Sequence, residues 1–363
     1  MSAPRPIATS LASTPCAIAP STPTGGRRVS SGLQRAACAG LLGLAGLLAS
    51  CGEGSNPVHP MDDVLRLNHL QCEGTHNSYH VQPTEVTAPD WSYTMAPLAE
   101  QLDTQGVRKL EIDVHWDAAT ASFNVYHLPR FDAVSTCATF VDCLTNVRGW
   151  SRRHPGHHPI FIQIEPKTLP AMGTPERLSA MDALDAEILS VFDPEEVILP
   201  DEVQGARATL DEAVTEDGWP TLGQTRGRIL FFFNCSREDC VLYANEGTGL
   251  DGRVIFADSE EGDPWSAVRI QNTPNAEARA AVEAGYLVRT FADGIASLLA
   301  DGSNDLDAAL ASGAHMISTD VPAPRDDMAY FVEMPGGTPS RCNPVTAPVG
   351  CTSLDIEDPA RLR

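Results

Sequence analysis

Lysine is nearly absent from this 363-residue chain, which has two lysines, and its basic side chains number 25 in all against 48 acidic ones. The formal net charge is −23 at pH 7. Binding to nucleic acid needs a basic face that displaces counterions from phosphate, and adhesion to anionic lipid needs a basic segment. The composition therefore argues against nucleic-acid partners, and a substrate carrying phosphate would need a bound cation to attract it.

The first 50 residues contain no Asp or Glu and no apolar run long enough to span a bilayer comfortably. Arg27, Arg28 and Arg35 closely precede the apolar stretch 36–49, which is shorter than the roughly 20 residues of a membrane-spanning helix. A basic flank followed by a short apolar stretch is typical of an export signal. The stretch leads into Leu-Ala-Ser-Cys, which resembles a bacterial lipobox. We therefore predict a leader at 1–50, lipidation of Cys51, and a protein that is lipid-anchored to the cell envelope or secreted. An ordinary signal peptide that happens to contain a Cys is the alternative.

Seven of the ten cysteines follow Cys51, and export would place them where disulfides are expected. Three pairs lie close in sequence, which predicts the disulfides Cys137–Cys143, Cys235–Cys240 and Cys342–Cys351. Cys72 is left over. Zinc is the rival interpretation, but the spacings lack the paired C-x-x-C pattern of structural zinc sites.

Short apolar stretches recur along the chain and are separated by segments with helical spacing. We predict strands at 65–72, 107–114, 123–126, 160–164, 229–233, 254–257, 287–291 and 316–318. We predict helices at 98–105, 137–154, 175–192, 276–284 and 306–312. Continuous apolar strands bounded by helices indicate a parallel sheet covered on both faces. Eight of them predict a single α/β domain, a (β/α)₈ TIM-type barrel. It is somewhat irregular, because no helix fits between the second and third strands.

The domain prediction has four parts. After the leader, residues 51–62 form a polar tether, residues 63–334 form the barrel, and residues 335–363 form a Pro-rich tail closed by a disulfide.

Polar residues follow the predicted strands, at the ends where barrel enzymes carry their catalytic groups. The ends of the first four strands supply, in chain order, His76, Asn77, Glu111, Asp113, His127 and Glu165. Glu111 and Asp113 are two apart, so on a strand their side chains share one face. Two such carboxylates repel each other unless a proton or a cation lies between them.

All-oxygen ligands suit a hard cation, so Asn77, Glu111, Asp113 and Glu165 predict a site for Ca²⁺ ahead of Mg²⁺. The histidines His76 and His127 suit such an ion poorly, and beside it they are typical of a general acid and base.

Four further features are less specific. Lys167, two residues beyond Glu165, is a candidate phosphate contact, with a surface lysine as the alternative. Arg289 is a second candidate for that contact, with an internal ion pair as the alternative. Asp320, at the end of the last strand, is a candidate for orienting His76 or His127. Three histidines in a Pro- and Gly-containing loop are expected in solvent; these are His154, His157 and His158.

The ordered set of motifs resembles the catalytic half of phosphatidylinositol-specific phospholipases C, in particular the secreted bacterial calcium-dependent branch. It consists of T-H-N-S-Y from Thr75, E-x-D from Glu111, a histidine about 16 residues after that Glu, and a strand ending in Glu165. The resemblance continues in S-T-D from Ser318 and in the tail, and so covers roughly residues 65–351.

The resemblance implies a phosphoric diester hydrolase or lyase that cleaves phosphatidylinositol-type lipids to diacylglycerol and inositol (cyclic) phosphate. It implies that His76 stabilises charge on the phosphate, that His127 protonates the leaving diacylglycerol oxygen, and that the four oxygen ligands bind Ca²⁺. The partner would be phospholipid at a membrane surface, with aromatic residues at 91–95 as a candidate docking loop, and we expect a monomer.

Two alternatives remain open. A glycerophosphodiester phosphodiesterase or a sphingomyelinase-D-like phosphodiesterase would also use carboxylates, a cation and two histidines on this barrel. A non-catalytic surface lipoprotein would use the barrel for binding alone.

Overall fold

Eight parallel strands form a nearly closed barrel in the computed structural model, which describes residues 59–337 and 339–362. The strands of the sheet are β1 (Leu70–Thr75), β2 (Lys109–Asp117), β3 (Ser122–Val125), β4 (Ile160–Thr168), β5 (Ile229–Phe233), β6 (Phe256–Ala257), β7 (Val268–Ile270), β8 (Leu287–Phe291), β9 (Met316–Thr319) and β10 (Ser340–Cys342). The parallel strands follow the order β6-β5-β4-β2-β1-β9-β8-β7. A single bridge, Asp258 with Val268, joins β6 to β7. The predicted TIM-type barrel is confirmed, with a seam at that joint.

Two strands run antiparallel to their neighbours. β3 pairs with β2 as a hairpin, and β10 pairs with β1. The prediction of a barrel strand at 123–126 was therefore wrong, and the eighth parallel strand is β7, which was not predicted. β7 has only three residues, with Arg269 between two apolar ones, so it leaves no apolar run in the sequence. β1 also begins five residues later than predicted, because Leu67–His69 form a 3₁₀ turn.

Helices cover the outside of the sheet. They are α1 (Leu98–Thr104), α2 (Phe140–Arg153), α3 (Pro175–Val191), α4 (Pro200–Gln204), α5 (Leu210–Glu212), α6 (Leu222–Thr225), α7 (Arg237–Tyr243), α8 (Ala276–Glu283), α9 (Ile295–Asp301), α10 (Leu306–Ser312) and α11 (Ser353–Ile356). The five predicted helices are confirmed to within three residues at each end. α2 begins where the Thr139 side chain accepts a hydrogen bond from the Asp142 backbone N–H, a normal N-cap.

The C-terminal tail is fastened to the barrel by a buried ion pair. Arg108, just before β2, donates from Nε to Glu357 at 2.9 Å, and the His158 backbone N–H donates to the other Glu357 oxygen at 2.8 Å. The three predicted disulfides are all present, among them Cys342–Cys351 in the tail. Cys72 is free and buried.

The loop after α2 is not in solvent. His157 and His158 are fully buried and His154 is 6% exposed, so the expectation for these three residues was wrong. Their ring nitrogens contact backbone carbonyls and hydroxyls, for example Ser151 with His157 at 2.7 Å. Those local partners offset the cost of burying an imidazole.

The predicted leader, Cys51 and most of the tether lie outside the described residues. Within the part of the chain that the structure describes, no helix is long and apolar enough to cross a membrane.

Candidate active site

Three carboxylates meet at the carboxyl ends of β2 and β4. One oxygen from each of Glu111, Asp113 and Glu165 lies within 4.8 Å of the others. Parallel pairing of β2 with β4 sets Asp113 directly beside Glu165. Glu111 shares the face of Asp113 two residues earlier, as the strand period requires. The structure therefore brings together the three acidic residues predicted to bind the cation.

Asp113 provides a test of whether a cation fits. Its side chain is fully buried, and neither carboxylate oxygen accepts a well-aligned hydrogen bond from a described residue; the nearest cation is Lys167, whose Nζ lies 3.2 Å from Oδ2. Burial, together with Glu165 and Glu111 and against the opposing effect of Lys167, raises the pKa of Asp113 to about 7. A buried carboxylate between two others is costly unless positive charge compensates it, and the single Lys167 ammonium is shared between Asp113 and Glu165. Such an oxygen-lined site fits a hard divalent cation.

Asn77 stands next to this cluster at the end of β1. It is buried, and its backbone φ of 42° lies in the left-handed region, which Asn tolerates better than most residues. The backbone N–H of the following residue, Ser78, donates to the Glu111 carbonyl at 2.9 Å. This contact fixes the turn after β1 against β2, the strand that carries Glu111 and Asp113.

Glu111 is held in its ionised form by two buried cations. Its Oε2 accepts from Lys109 Nζ at 2.7 Å and from Arg289 Nη2 at 2.9 Å. Although burial opposes it, the charges of these two residues hold the pKa of Glu111 well below its usual range. Gly74 makes room for the lysine, since a Cβ there would lie 2.7 Å from the Lys109 side chain.

Arg289 is 1% exposed and belongs to this internal ion pair. The structure thus shows the internal ion pair that the sequence analysis gave as the alternative for Arg289. Direct contact of Arg289 with phosphate stays a prediction.

Lys167 lies among the acidic residues. Its Nζ is 2.5 Å from Glu165 Oε1 and 3.2 Å from Asp113 Oδ2. The other Glu165 oxygen accepts from Asn234 Nδ2 at 2.9 Å. The Lys167 side chain is a quarter exposed, so it can approach a ligand that enters the site.

His76 is oriented by Asp320. Nδ1 of His76 lies 2.9 Å from Asp320 Oδ1, and Nε2 lies 3.8 Å from Glu111 Oε1. Burial lowers the pKa of His76, but Asp320 and Glu111 outweigh it and the net shift is upward. Asp320 is itself fixed, because its Oδ2 accepts from the Ile295 backbone N–H at 2.8 Å.

His127 is oriented by a different carboxylate, Asp132. Nδ1 of His127 lies 2.8 Å from Asp132 Oδ2, and Nε2 of His80 lies 2.9 Å from the same oxygen. Asp132 is fully buried, whereas the His127 side chain is 20% exposed. The His80 backbone N–H in turn donates to the Asn77 carbonyl at 2.8 Å. His127 is thereby connected through one buried carboxylate to the turn that carries Asn77.

Sequence reasoning missed three residues of this site: Asp132, His80 in its pairing role, and Asn234. The one local signal was the position of Asn234 directly after the apolar run of β5. Asp132 gave no signal, because it lies in an irregular loop.

The comparisons with known proteins agree with this geometry. The family model for Ca²⁺-dependent phosphoinositide phospholipase C matches residues 65–124 and 118–344. A calcium-dependent phosphoinositol-specific phospholipase C from Pseudomonas sp., in its apo form, superposes with a TM-score of 0.55 at 17% identity, over 79% of this chain and 99% of that one. Its myoinositol complex gives 0.56 at 18% identity over the same shares.

The Ca²⁺-dependent phosphatidylinositol-specific phospholipase C of Streptomyces antibioticus gives a TM-score of 0.52 at 22% identity, over 70% of this chain and 95% of that one. No curated protein sequence matches this chain. At these identities the solved structures show the shared fold, and the family model covers most of the chain. The chain is therefore an enzyme that belongs to the Ca²⁺-dependent phosphoinositide phospholipases C, a family of phosphodiesterases.

Proposed function

We propose that Asn77, Glu111, Asp113 and Glu165 bind the Ca²⁺ of this enzyme and that His76 and His127 act on the phosphodiester beside it. The observation that carries the proposal is the buried Asp113 carboxylate, which lies between two other carboxylates and has one partly exposed ammonium, that of Lys167 at 3.2 Å, to offset their combined charge. A cation held there would offset the negative charge of the phosphodiester and acidify a bound hydroxyl.

The two histidines have separate carboxylate partners, which suits separate roles. His76 lies against Glu111 of the cation cluster and is fixed by Asp320, so it is placed to donate a hydrogen bond to phosphate oxygen. His127 is fixed by Asp132, which leaves its Nε2 free to deliver a proton to the departing diacylglycerol oxygen. A nucleophile within the substrate, the inositol 2-hydroxyl, would avoid the entropy cost of recruiting water. Lys167 is the cation best placed to meet the phosphate from the solvent side.

The test combines activity with cation binding. Turnover of phosphatidylinositol in mixed micelles should require Ca²⁺ and be lost with chelator. Ca²⁺ should raise the melting temperature of the parent protein, since a ligand at about 100 times its Kd contributes about 2.7 kcal/mol. The variant Asp113→Asn should lose both effects. The matched control Asp185→Asn changes a mostly buried carboxylate of α3 that contacts Tyr243 and Arg253 and is not part of the cluster, so it should keep them. Full activity in chelator, or an unchanged thermal shift in Asp113→Asn, would refute the cation site.

We also propose that the protein contacts the bilayer through loops beside the histidine site. Three exposed apolar side chains lie on the loop after β3, namely Leu128, Phe131 and Val134, at 38%, 65% and 51% exposure. Met172 on the loop after β4 is 49% exposed. Exposed apolar residues grouped beside a site for a lipid substrate are typical of a membrane contact. Net negative charge favours a surface rich in zwitterionic lipid.

In the candidate docking loop at 91–95, Trp91 remains a candidate for membrane contact, because it is partly exposed and lies edge-on to His127 with 6.3 Å between the ring centroids. Tyr93 and Met95 are both 2% exposed and pack in a small core cluster with Ile295, Leu298 and Val321. These side chains are therefore not available to a bilayer.

Vesicle sedimentation tests the docking proposal. Phe131→Ser should weaken binding to phosphatidylcholine vesicles containing phosphatidylinositol by about tenfold or more, since burying a Phe side chain contributes about 1.5–3 kcal/mol. Its activity on vesicles should fall further than its activity on monomeric short-chain substrate. Leu354→Ser, at an exposed apolar residue of α11, is the matched control. Equal effects of the two substitutions would contradict the docking surface.

We propose further that the protein is exported and works as a monomer. Three disulfides support an oxidising compartment, and one chain supplies every residue of the site described above. Mass spectrometry of the mature protein would test lipidation at Cys51, and light scattering would test the monomer.

A further inference from the structure

A cavity lies outside the barrel wall, and none of the three clustered carboxylates lines it. It has a volume of about 370 Å³ and lies between β1, the end of α1 and the segment that follows β9. Cavities of roughly 300–1,000 Å³ are large enough for small organic ligands. Leu102, Phe331 and Met334 are among the apolar residues of its wall.

Glu73 of β1 lines this cavity. Its side chain belongs to a residue only 4% exposed, and Oε1 has no hydrogen-bond partner among the described residues. Burial, with the nearby charges of Asp293 and Glu333, raises the pKa of Glu73 well above its usual value. A buried carboxyl group in this position gains free energy from a hydrogen-bond donor, and most from a cationic one.

The charges of the wall favour an organic cation over a metal ion or an anion. Arg108 is the one basic residue of the wall, and its guanidinium is already bound to Glu357. Asp103 and Glu333 add negative charge at the cavity. Among the described residues, metal-binding spacing occurs only in the cluster of Glu111, Asp113 and Glu165. Glu73 therefore offers a single carboxyl group beside apolar surface. A bound ammonium group displaces the carboxyl proton to solvent, and the carboxylate so formed suits one ammonium group on a short hydrocarbon chain.

We propose that this cavity binds a small aliphatic amine in its ammonium form, whose charged group hydrogen-bonds to Glu73 and whose hydrocarbon part packs on Leu102, Phe331 and Met334. Zwitterionic head groups are disfavoured because their phosphate would face Glu333 and Asp103. This site is independent of the phospholipase reaction, so its failure would leave that function untouched.

The experiment uses n-butylammonium as the probe and the methyl resonance of Met334 as a local reporter, assigned with Met334→Leu. Titrations are made with Ca²⁺ in excess so that the barrel cluster is saturated. The expected result is a saturable shift of the Met334 methyl, with n-butanol and phosphoethanolamine binding at least about tenfold more weakly, a difference of about 1.4 kcal/mol.

Two variants complete the test. Glu73→Gln keeps the shape of the side chain and should remove the preference for butylammonium over butanol. Phe331→Ala keeps the carboxyl group and should weaken the binding of both probes, so it decides the matter even if Glu73→Gln does not fold. The proposal is overturned if the Met334 methyl shows no saturable shift, if excess Ca²⁺ abolishes the shift, or if the ammonium preference survives in Glu73→Gln.

Discussion

The buried carboxylate Asp132 offers the sharpest test of the role of His127. It accepts hydrogen bonds from both His127 and His80, and Asp132→Asn leaves one acceptor oxygen for two ring N–H groups. At least one charge-assisted hydrogen bond is lost, at a cost of about 1.5–3 kcal/mol. The imidazole that loses it is free to rotate or to change tautomer.

We expect the loss to appear as lost proton transfer. Positioned acid catalysis contributes about 10²- to 10⁴-fold, so kcat for phosphatidylinositol should fall about 10²- to 10³-fold in Asp132→Asn, equivalent to roughly 3–4 kcal/mol of barrier. The same loss is expected in His127→Ala.

The diagnostic assay changes the leaving group. An inositol aryl phosphodiester releases an acidic phenol that needs little protonation, so Asp132→Asn should retain most of the parent rate on it. Asp320→Asn, which acts on His76, should instead slow both substrates to a similar degree. If Asp132→Asn reduces both rates equally, His127 is not the general acid.

Three further predictions concern stability. Glu357→Gln leaves the buried Arg108 charge uncompensated, at a cost of about 3–5 kcal/mol. For a domain of about 300 residues this cost lowers the melting temperature by about 5–8 °C. A decrease of less than about 2 °C in calorimetry would contradict the pairing. Burial raises the pKa of Glu187 to about 7, so ionisation of this group lowers the free energy of unfolding as pH rises from 4.5 through 7. Glu187→Gln should therefore raise the melting temperature at pH 8 by about 1–2 °C but leave it unchanged at pH 4. Burial lowers the pKa of His157 to about 4, so its contribution to the free energy of unfolding is full above pH 6.5 and is lost as pH falls through 4, by about 3 kcal/mol. Urea titrations at a series of pH values should show that the free energy of unfolding of His157→Gln decreases less on the acid side than that of the parent. The same decrease in both proteins would show that His157 does not titrate in this range.

The barrel was predictable because most of its strands are buried on both faces. β5, Ile229–Phe233, is apolar at every position, and such runs are legible without a structure. β1 was displaced in the prediction because its last residues are Glu73, Gly74 and Thr75, which are buried yet not apolar. The hairpin β3 was mistaken for a barrel strand, because composition does not distinguish parallel from antiparallel pairing.

The site was predictable where strand geometry alone places the residues. Glu111, Asp113 and Glu165 follow from period-two alternation on neighbouring strands, and His76 follows directly from the end of β1. Asp132 and the burial of His157 depend instead on how irregular loops pack against distant segments, and no local pattern encodes that. An internal ion pair could be expected for Arg289 from the sequence, but its partner, Glu111, could not, because that pairing depends on contacts across the barrel interior.

The weak joint of the barrel lies far along the ring from the chemistry. β6 and β7 share one bridge, whereas β2 and β4 are paired over seven positions and together carry three of the proposed calcium ligands. Thermal fluctuations of the barrel should therefore be largest at this joint, where a single bridged residue pair must separate, and should leave the positions of the proposed calcium ligands almost unchanged. If the barrel opens between β6 and β7, the distances between the proposed calcium ligands on β2 and β4 should stay the same.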